Sequence, residues 1–265
     1  MEGLRIIARL AGAQLRMSVL AALQYRVGFW TEGVLGVAWS LLGLVPLLVA
    51  MGHRPEIAGW GPWEVILVTG CFTVVSGIFG AMLSPALIAS MDHIRRGTLD
   101  YLLLRPADAL ALCLLSELSP WRLTEVVFGL AMIVLALIRV GVTPDALAIA
   151  KAIAAFLAGL VALYALGILA LCASFRALQL QNLVYLYEAG LDFARWPASV
   201  FRGVLKAVFT FLVPFAVMTT YPAEGLLGRL SPWVLLQAWA TAAALVVVAR
   251  GLWRRSLRSY SSASS

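Results

Sequence analysis

Six apolar stretches, each near the length of about 20 residues that crosses a bilayer as a helix, recur along this chain and constrain its fold more than any other feature. Hydrophobic residues make up 62% and charged residues 12% of the 265 positions, whereas soluble domains are about 45–50% apolar and about 25% charged. One soluble core could not absorb so much Leu, Val and Ala. The sequence therefore predicts an all-α, polytopic membrane protein with six transmembrane helices, at 28–51, 64–89, 122–139, 147–174, 203–221 and 232–250.

The remaining segments are predicted from their mixture of charge and apolar residues. The first 27 residues are amphipathic and Arg-rich, which is typical of a helix lying in the membrane interface; an amphipathic transit peptide is the alternative. One transmembrane domain then covers 1–265, with the following predicted parts: interfacial helix 1–27, spans one and two in 28–90, a cytoplasmic segment at 91–121, spans three and four in 122–174, a cytoplasmic interfacial segment at 175–202, the fifth span, an outer hairpin and the sixth span in 203–251, and a cytoplasmic tail at 252–265.

The basic residues predict the orientation of the spans. If both termini are cytoplasmic, 16 of the 20 Lys and Arg residues fall in inner segments, and only Arg54, Arg139, Lys151 and Arg229 fall outside. Short cytoplasmic loops carry such an excess of Lys and Arg. Because the basic residues lie beside apolar runs, the net charge of +7 indicates topology and contact with anionic lipid headgroups, and no nucleic-acid partner is expected.

Sequence motifs for enzymatic activity are absent. The two histidines, His53 and His93, are predicted on opposite faces of the membrane, and no HExxH, CxxC or GxSxG sequence occurs. The two lysines, Lys151 and Lys206, do not lie in the Gly-rich loop that binds ATP phosphates. We therefore expect no catalytic site, no metal and no cofactor in this chain.

The spans contain few ionisable groups. Glu32, Glu64, Arg122 and Glu125 all fall near predicted span ends, where a charged head can reach the interface. An ion-coupled transporter would be expected to hold a carboxylate at mid-depth. The absence of one argues against a secondary transporter, although that class stays open as an alternative.

The polar and charged residues that could carry a function lie mainly in the predicted cytoplasmic stretch RRGTLDYLLLRP at 95–106. Asp92 could open a short helix that Gly97 ends, and Thr98 could cap a second turn in which Asp100 favours the helix dipole. Pro106 would force Arg105 out of helical geometry. We expect two short helices with a bend between them, with the leucines at 99, 102 and 103 facing lipid or protein and the arginines facing outward.

Such a segment is interpreted as a docking surface for a cytoplasmic partner, because a solvated loop, the alternative, needs neither the leucines nor the paired helix breakers. The stretch RRGTLDYLLLRP resembles the cytoplasmic motif of bacterial ABC type-2 exporter permeases, in the subgroup whose two different permeases share one ATPase. VPFAVMTTYPAEGLLGR is similar to the fifth span and outer hairpin of that subgroup, and WRRSLRSYSSAS to its C-terminal tail.

The resemblance implies a six-helix permease that pairs with a second permease, of the same or a paralogous kind, in the bacterial cytoplasmic (inner) membrane. A separate ABC ATPase subunit would drive export of a lipophilic or amphiphilic substrate, which spans one, two and five would contact. The implied ATPase-coupling residues are Asp92, His93, Arg95, Arg96, Gly97, Thr98, Leu99, Asp100, Leu103, Arg105 and Pro106. The implied outer gate hairpin is re-entrant, dips back into the outer leaflet, and contains Tyr221, Pro222, Glu224, Gly225 and Gly228. Pro222 suits a first helical turn, Glu224 suits the positive end of that turn, and Gly225 and Gly228 would let backbones approach closely. A plain tight loop between spans is the alternative.

Some questions stay open at the level of sequence. A membrane-bound enzyme would need a catalytic set that the motifs do not provide, and a non-transporting membrane subunit of a larger complex is a further alternative. An apolar lining fits lipids, amphiphilic drugs, natural products and glycolipids equally well.

Overall fold

The computed structural model is predominantly helical in the residues that it describes, which are 12–18, 20–21, 24–53, 56–104, 108–114, 116–175, 188–209 and 214–258. An N-terminal helical stretch at 12–18 precedes α1 (Arg26–Leu42), α2 (Val45–His53), α3 (Pro62–Ile78), α4 (Ser84–Arg95), α5 (Asp100–Leu103), α6 (Ala109–Leu114), α7 (Leu123–Val140), α8 (Ala146–Ser174), α9 (Gly203–Ala207), α10 (Tyr221–Leu226) and α11 (Pro232–Arg258). Shorter turns lie between them, π-helical at Phe79–Leu83 and Ala216–Thr220 and 3-10 at Pro120–Arg122, Asp192–Arg195 and Ala198–Val200.

Five helical stretches of the described chain are long and apolar enough to cross a membrane: Arg26–His53, Pro62–Arg95, Pro120–Val140, Ala146–Ser174 and Pro232–Arg258. They contain the predicted first, second, third, fourth and sixth spans in full, and the described residues pair in no β-strand. The predicted all-α, polytopic fold is therefore confirmed. The count of six spans stays a prediction, because residues 210–213 of the fifth lie outside the described residues.

The long helix made of α3, the first π turn and α4 forms the centre of the bundle. Of its most apolar window 72% is buried, against 11% for Arg26–His53 and 17% for Pro232–Arg258. Glycines bring α3 close to α7, since a Cβ added at Gly70 would lie 3.1 Å from the Gly129 carbonyl oxygen. Small residues allow such approach between membrane helices. A second packed pair joins α8 to α11, so α1 and most of α11 present apolar faces outward.

The segment after α8 takes a path that differs from the prediction. Residues 175–202 are predicted to stay at the cytoplasmic side, but the described residues 188–202 run along the central helix towards the N-terminus of α3. Three hydrogen bonds mark this path: Ser84 Oγ to Glu188 Oε1 at 2.8 Å, Thr69 Oγ1 to the Arg195 carbonyl at 3.4 Å, and Trp60 Nε1 to Ser199 Oγ at 3.1 Å. Ser199 thus lies at the end of the bundle opposite to residues 91–121.

The predicted span at 203–221 is not one straight helix. The short α9, a non-helical Pro214 and the second π turn replace it. The Phe209 ring lies 5.4 Å from the Phe193 ring and 5.0 Å from the Phe215 ring, so the chain turns back after Ser199 before it rises to α10. Proline removes a backbone donor and interrupts a helix, which accounts for the break at Pro214.

Side-chain hydroxyls satisfy backbone groups that this broken path leaves without helical partners. Thr219 Oγ1 donates to the Ala194 carbonyl at 2.8 Å, and Thr220 Oγ1 accepts from the Ala198 amide at 3.1 Å. Irregular backbone at membrane depth is tolerated only where protein pairs its polar groups. The described residues 188–209 and 214–226 thus form a broken segment, and the crossing predicted between α8 and α11 stays a prediction.

Both ends of the described chain lie at the same end of the bundle. Gln14 Nε2 donates to the Ser116 carbonyl at 2.8 Å, and Arg250 Nη1 near the end of α11 lies 3.9 Å from Asp108 Oδ2. Both contacts reach the predicted cytoplasmic segment 91–121. The arrangement agrees with an even number of crossings, while the side of the membrane on which this end lies stays a prediction.

Candidate coupling surface and outer hairpin

The predicted coupling segment begins with a sharp turn at Gly97. This glycine has a φ of +68°, a left-handed conformation that favours glycine. The Thr98 amide donates to the His93 carbonyl at 3.0 Å and the Gly97 amide to the Ile94 carbonyl at 3.2 Å, the pair of bonds that closes a Schellman turn. Gly97 thus ends α4, as predicted.

Two local predictions in this segment are wrong. Asp92 does not open a short helix, because α4 continues the central helix from Pro62 and Asp92 lies in its last turn. There its carboxylate forms ion pairs with the two arginines that follow, with Arg95 Nη2 at 2.9 Å and with Arg96 Nε at 2.7 Å. Thr98 does not cap the next helix with its side chain; its Oγ1 lies 2.8 Å from His93 Nδ1 instead.

Buried and exposed side chains alternate along α5, which begins at Asp100 as predicted. Leu99 is 0% exposed and Leu102 is buried, and both join the largest apolar core. Tyr101 and Leu104, at 72% and 82% exposure, point away from it. The backbone of Leu103 lies in α5, its side chain is outside the described residues, and so are Arg105 and Pro106.

Sequence reasoning did not single out Tyr101 and Leu104. Tyr101 and Leu104 each follow a buried leucine, Leu99 or Leu102, by two residues. On a helical turn this spacing places them on the opposite face, and that pattern could have identified them from the sequence. Together with Arg95, Arg96 and Asp100 they form what we call the coupling surface.

The short helix α6 supports the coupling surface from behind. Ser90 Oγ of α4 donates to the Cys113 carbonyl at 3.0 Å, and the Asp108 carboxylate accepts from the Leu110 amide at 2.9 Å to cap α6. Burial raises the pKa of the Cys113 thiol to about 11, so the thiol stays protonated and unreactive. The bond from Ser90 joins α6 to α4, and Leu99 and Leu102 beside the coupling surface share one apolar core with Leu110 and Cys113 of α6.

The outer hairpin contains a second turn of the same type. Pro222 and Glu224 lie in the first turn of α10, as predicted. The Arg229 amide donates to the Glu224 carbonyl at 2.9 Å and the Gly228 amide to the Gly225 carbonyl at 3.1 Å. Tyr221, half-buried, packs against a small core of Ala158, Val217 and Ala238.

The two predicted hairpin glycines have different roles. A Cβ at Gly225 would lie 2.8 Å from Cα of Ala152 in α8, so Gly225 does permit close backbone approach. Gly228 has no atom within 4 Å of such a Cβ, and its φ is +72°. The close approach predicted at Gly228 is therefore wrong; the residue is glycine because the turn requires a left-handed conformation.

Charged contacts fix the hairpin to two long helices. Arg229 forms an ion pair with Glu64 in the first turn of α3, and Glu64 also accepts from the Gly61 amide at 3.1 Å. Lys151 Nζ of α8 donates to the Leu230 carbonyl at 3.4 Å. The same central helix thus holds the hairpin at one end and the coupling surface at the other.

Arg195 is an ionisable residue of the interior that sequence reasoning placed in a cytoplasmic loop. Its side chain is 18% exposed, pairs with Asp192 Oδ1 at 2.9 Å and lies 4.9 Å from the centre of the Phe72 ring. Its buried Nε has no hydrogen-bond partner among the residues that the structure describes. Ionisable groups at membrane depth are costly and commonly functional. Sequence alone could not find Arg195 because its surroundings come from α1, α3 and the broken segment together.

Within the described residues, no group of His, Cys, Asp and Glu side chains could hold a metal ion. A protein-family model described as "ABC-2 family transporter protein" matches residues 37–264. Neither the curated proteins nor the solved structures contain a match to this chain.

Proposed function

This chain belongs to the ABC-2 family of membrane transporter proteins, which work with an ATP-binding subunit, and from that premise we propose that it is the permease of an ATP-driven exporter. The substrate is lipophilic or amphiphilic, the membrane is the bacterial cytoplasmic membrane, and both termini are cytoplasmic. The family match over most of the chain is the observation that carries the proposal.

The coupling surface is the proposed seat of the ATPase subunit. Its exposed aromatic, aliphatic and charged side chains lie beside leucines that are buried in the core. An ATPase that grips Tyr101, Leu104 and Arg96 would therefore move α5 together with the core around it. The connection between α5 and the central helix supports this proposal. Ser90 of α4 is hydrogen-bonded to α6, and α4 is continuous with α3 in one long helix.

The outer hairpin is the proposed gate at the other end of that link. Closing of the ATPase dimer on ATP would displace the coupling surface, and the central helix would carry the displacement to Glu64. Glu64 holds Arg229 of the hairpin. Separation of this ion pair is the proposed event that frees the hairpin and opens the outer side.

A second permease is the proposed neighbour of the outward apolar faces. The stretch Arg26–His53 is only 11% buried within one chain, which suits a helix that contacts lipid and a partner. Most of the surface of the second span is buried against α7 and the rest of this chain, and its contact with the substrate, which the family resemblance implies, stays a prediction.

Co-purification with a co-expressed ABC ATPase subunit tests the proposal. Leu104→Asp and the double variant Arg96→Glu with Asp100→Lys should lower ATPase recovery about tenfold or more, since burying a mismatched charge at an interface costs several kcal/mol. Arg258→Glu, an exposed charge reversal at the same end of the bundle, is the matched control and should retain the ATPase. Equal recovery with all variants would overturn the docking role.

A further inference from the structure

A cavity of about 450 Å³ lies between the N-terminal helical stretch, the beginning of α1 and the loop before α7. Ligand pockets commonly have about 300–1,000 Å³. Gln14 Nε2 donates to the Ser116 carbonyl at 2.8 Å and ties one wall to the other. The cavity is at the end of the bundle that carries the coupling surface. Neither the family match nor the coupling surface accounts for it.

The charge of the cavity is opposite to that of the whole chain. Its walls carry the carboxylates of Glu32 and Glu117 and, among the described lining residues, no Lys, Arg or His. Neither carboxylate forms an ion pair within the described part of the chain. Arg122, which follows the lining residue Trp121, is held by Glu125 Oε1 at 2.7 Å instead. Both acids are exposed to solvent. In a protein with a net charge of +7, two carboxylates without an ion pair in the described chain favour a cation over an anion at this cavity.

Aromatic rings form much of the remaining wall. Tyr25, Phe29 and Trp121 line the cavity, and the Phe29 ring is held edge-on by Trp30 at 5.6 Å between centroids. The face of an aromatic ring attracts an ammonium or similar cation, most strongly when the cation is desolvated. Acids combined with aromatic faces match an organic cation with an apolar body better than a small hydrated metal ion.

We propose that this cavity, which we call the cation cavity, binds an amphiphilic organic cation through Glu32, Glu117 and the rings of Tyr25, Phe29 and Trp121. The substrate class named in this way rests on the exporter function proposed above. The cation would be taken up at the coupling end, before transport. A free cationic amphiphile and the ammonium headgroup of a zwitterionic lipid share this chemistry.

Binding of tetraphenylphosphonium to the full-length chain tests the proposal. In nanodiscs of phosphatidylglycerol, equilibrium dialysis should show saturable binding to the wild type. The double variant Glu32→Gln with Glu117→Gln should weaken that binding about tenfold or more. Glu56→Gln, an exposed acid at the other end of the bundle, should bind as the wild type does. Tetraphenylborate has nearly the same shape with negative charge, and should not bind saturably.

Equal binding of tetraphenylphosphonium to the wild type and the double variant, both monodisperse by gel filtration, would overturn the cation cavity. Equal saturable binding of tetraphenylborate would also overturn it. Addition of phosphatidylethanolamine to the nanodiscs identifies the source: competition supports the lipid headgroup as occupant, and unchanged binding supports a free cation. The readout needs no ATPase, so failure of ATPase co-purification with intact cation binding would overturn the exporter proposal alone.

Discussion

At the scale of single residues, Gly43 and Arg195 depend on each other. A Cβ added at Gly43, between α1 and α2, would overlap the Arg195 guanidinium. That guanidinium contacts the Phe72 ring and pairs with Asp192. The junction of α1 and α2 therefore fits around an arginine that comes from a segment 150 residues later in the chain, roughly the length of a whole small domain.

Gly43→Ala should displace the Arg195 guanidinium and lower thermal stability in detergent. In an Arg195→Gln background the same change should cost less, because the overlapping group is gone, and the coupling free energy should be about 0.5–2 kcal/mol. Scanning fluorimetry of both single variants and the double variant measures it. Gly52→Ala, with no atom near its Cβ, is the control. Additive effects would contradict the coupling.

Gly225→Val should destabilise the packing of the hairpin on α8. Its Cβ would lie 2.8 Å from the Ala152 backbone, and overpacking of this kind costs about 1–3 kcal/mol. The melting temperature in detergent should fall clearly, whereas Gly251→Ala, a helical glycine with open space around it, should leave it nearly unchanged. A similar fall in both variants would argue against close packing of the hairpin.

Residue-scale features were predictable where local sequence determines them. Gly97 ends α4, and Pro222 and Glu224 lie in the first turn of α10, because turns and helix ends depend on neighbouring residues. The same local reasoning assigned Gly228 the wrong role and missed Arg195. Both depend on which helix lies nearby, and a single sequence does not contain that information.

At the scale of elements, the turn after α4 sets the direction of α5 and so of Tyr101 and Leu104. Its geometry depends on the left-handed Gly97. Asn is tolerated in this conformation and β-branched residues are not.

Gly97→Val should therefore lower stimulation of the partner ATPase, since the strain of about 1–2 kcal/mol favours another direction for α5. Gly97→Asn should retain most of the stimulation. ATPase activity of the reconstituted complex measures the effect, and protein yield checks that both variants fold. Loss in both variants alike would show that the left-handed turn is not the reason for the effect.

Long helices were the most predictable elements, because an apolar run of span length has few alternatives. The segment 188–226 was the least predictable. Its apolar composition fits a straight span as well as a broken one, and its three prolines, Pro197, Pro214 and Pro222, do not by themselves fix where the chain turns. Its path is fixed by hydrogen bonds of Thr219 and Thr220 to residues 25 and 22 positions earlier, which no local pattern reveals.

At the scale of the whole molecule, the path of 188–202 changes which residues lie at each end of the bundle. Arg195 and Arg202 both belong to this segment and leave the group of basic residues at the coupling end, and Ser199 contacts Trp60. The excess of basic residues at the coupling end remains, so the predicted orientation is retained as a proposal.

Labelling with a membrane-impermeant thiol reagent tests this path. Ser199→Cys should react from the same side as Glu56→Cys, and Tyr101→Cys should react from the opposite side in inverted vesicles. Cys71, Cys113 and Cys172 are buried and should contribute little background. Reaction of Ser199→Cys from the side of Tyr101→Cys would restore the cytoplasmic placement of this segment.

The π turn at Phe79–Leu83 sets the angle about the helix axis between the two halves of the central helix. A π turn holds one residue more than an α turn, and one residue corresponds to about 100° of rotation around an α-helix. The glycine face that meets α7 lies before this extra residue, and the coupling surface lies after it. Migration of the extra residue along the helix would turn only the residues that it passes, while the glycine face and the coupling surface would keep their relative angle. The π turn therefore allows residues near the middle of the central helix to change their facing without altering how its two ends are oriented.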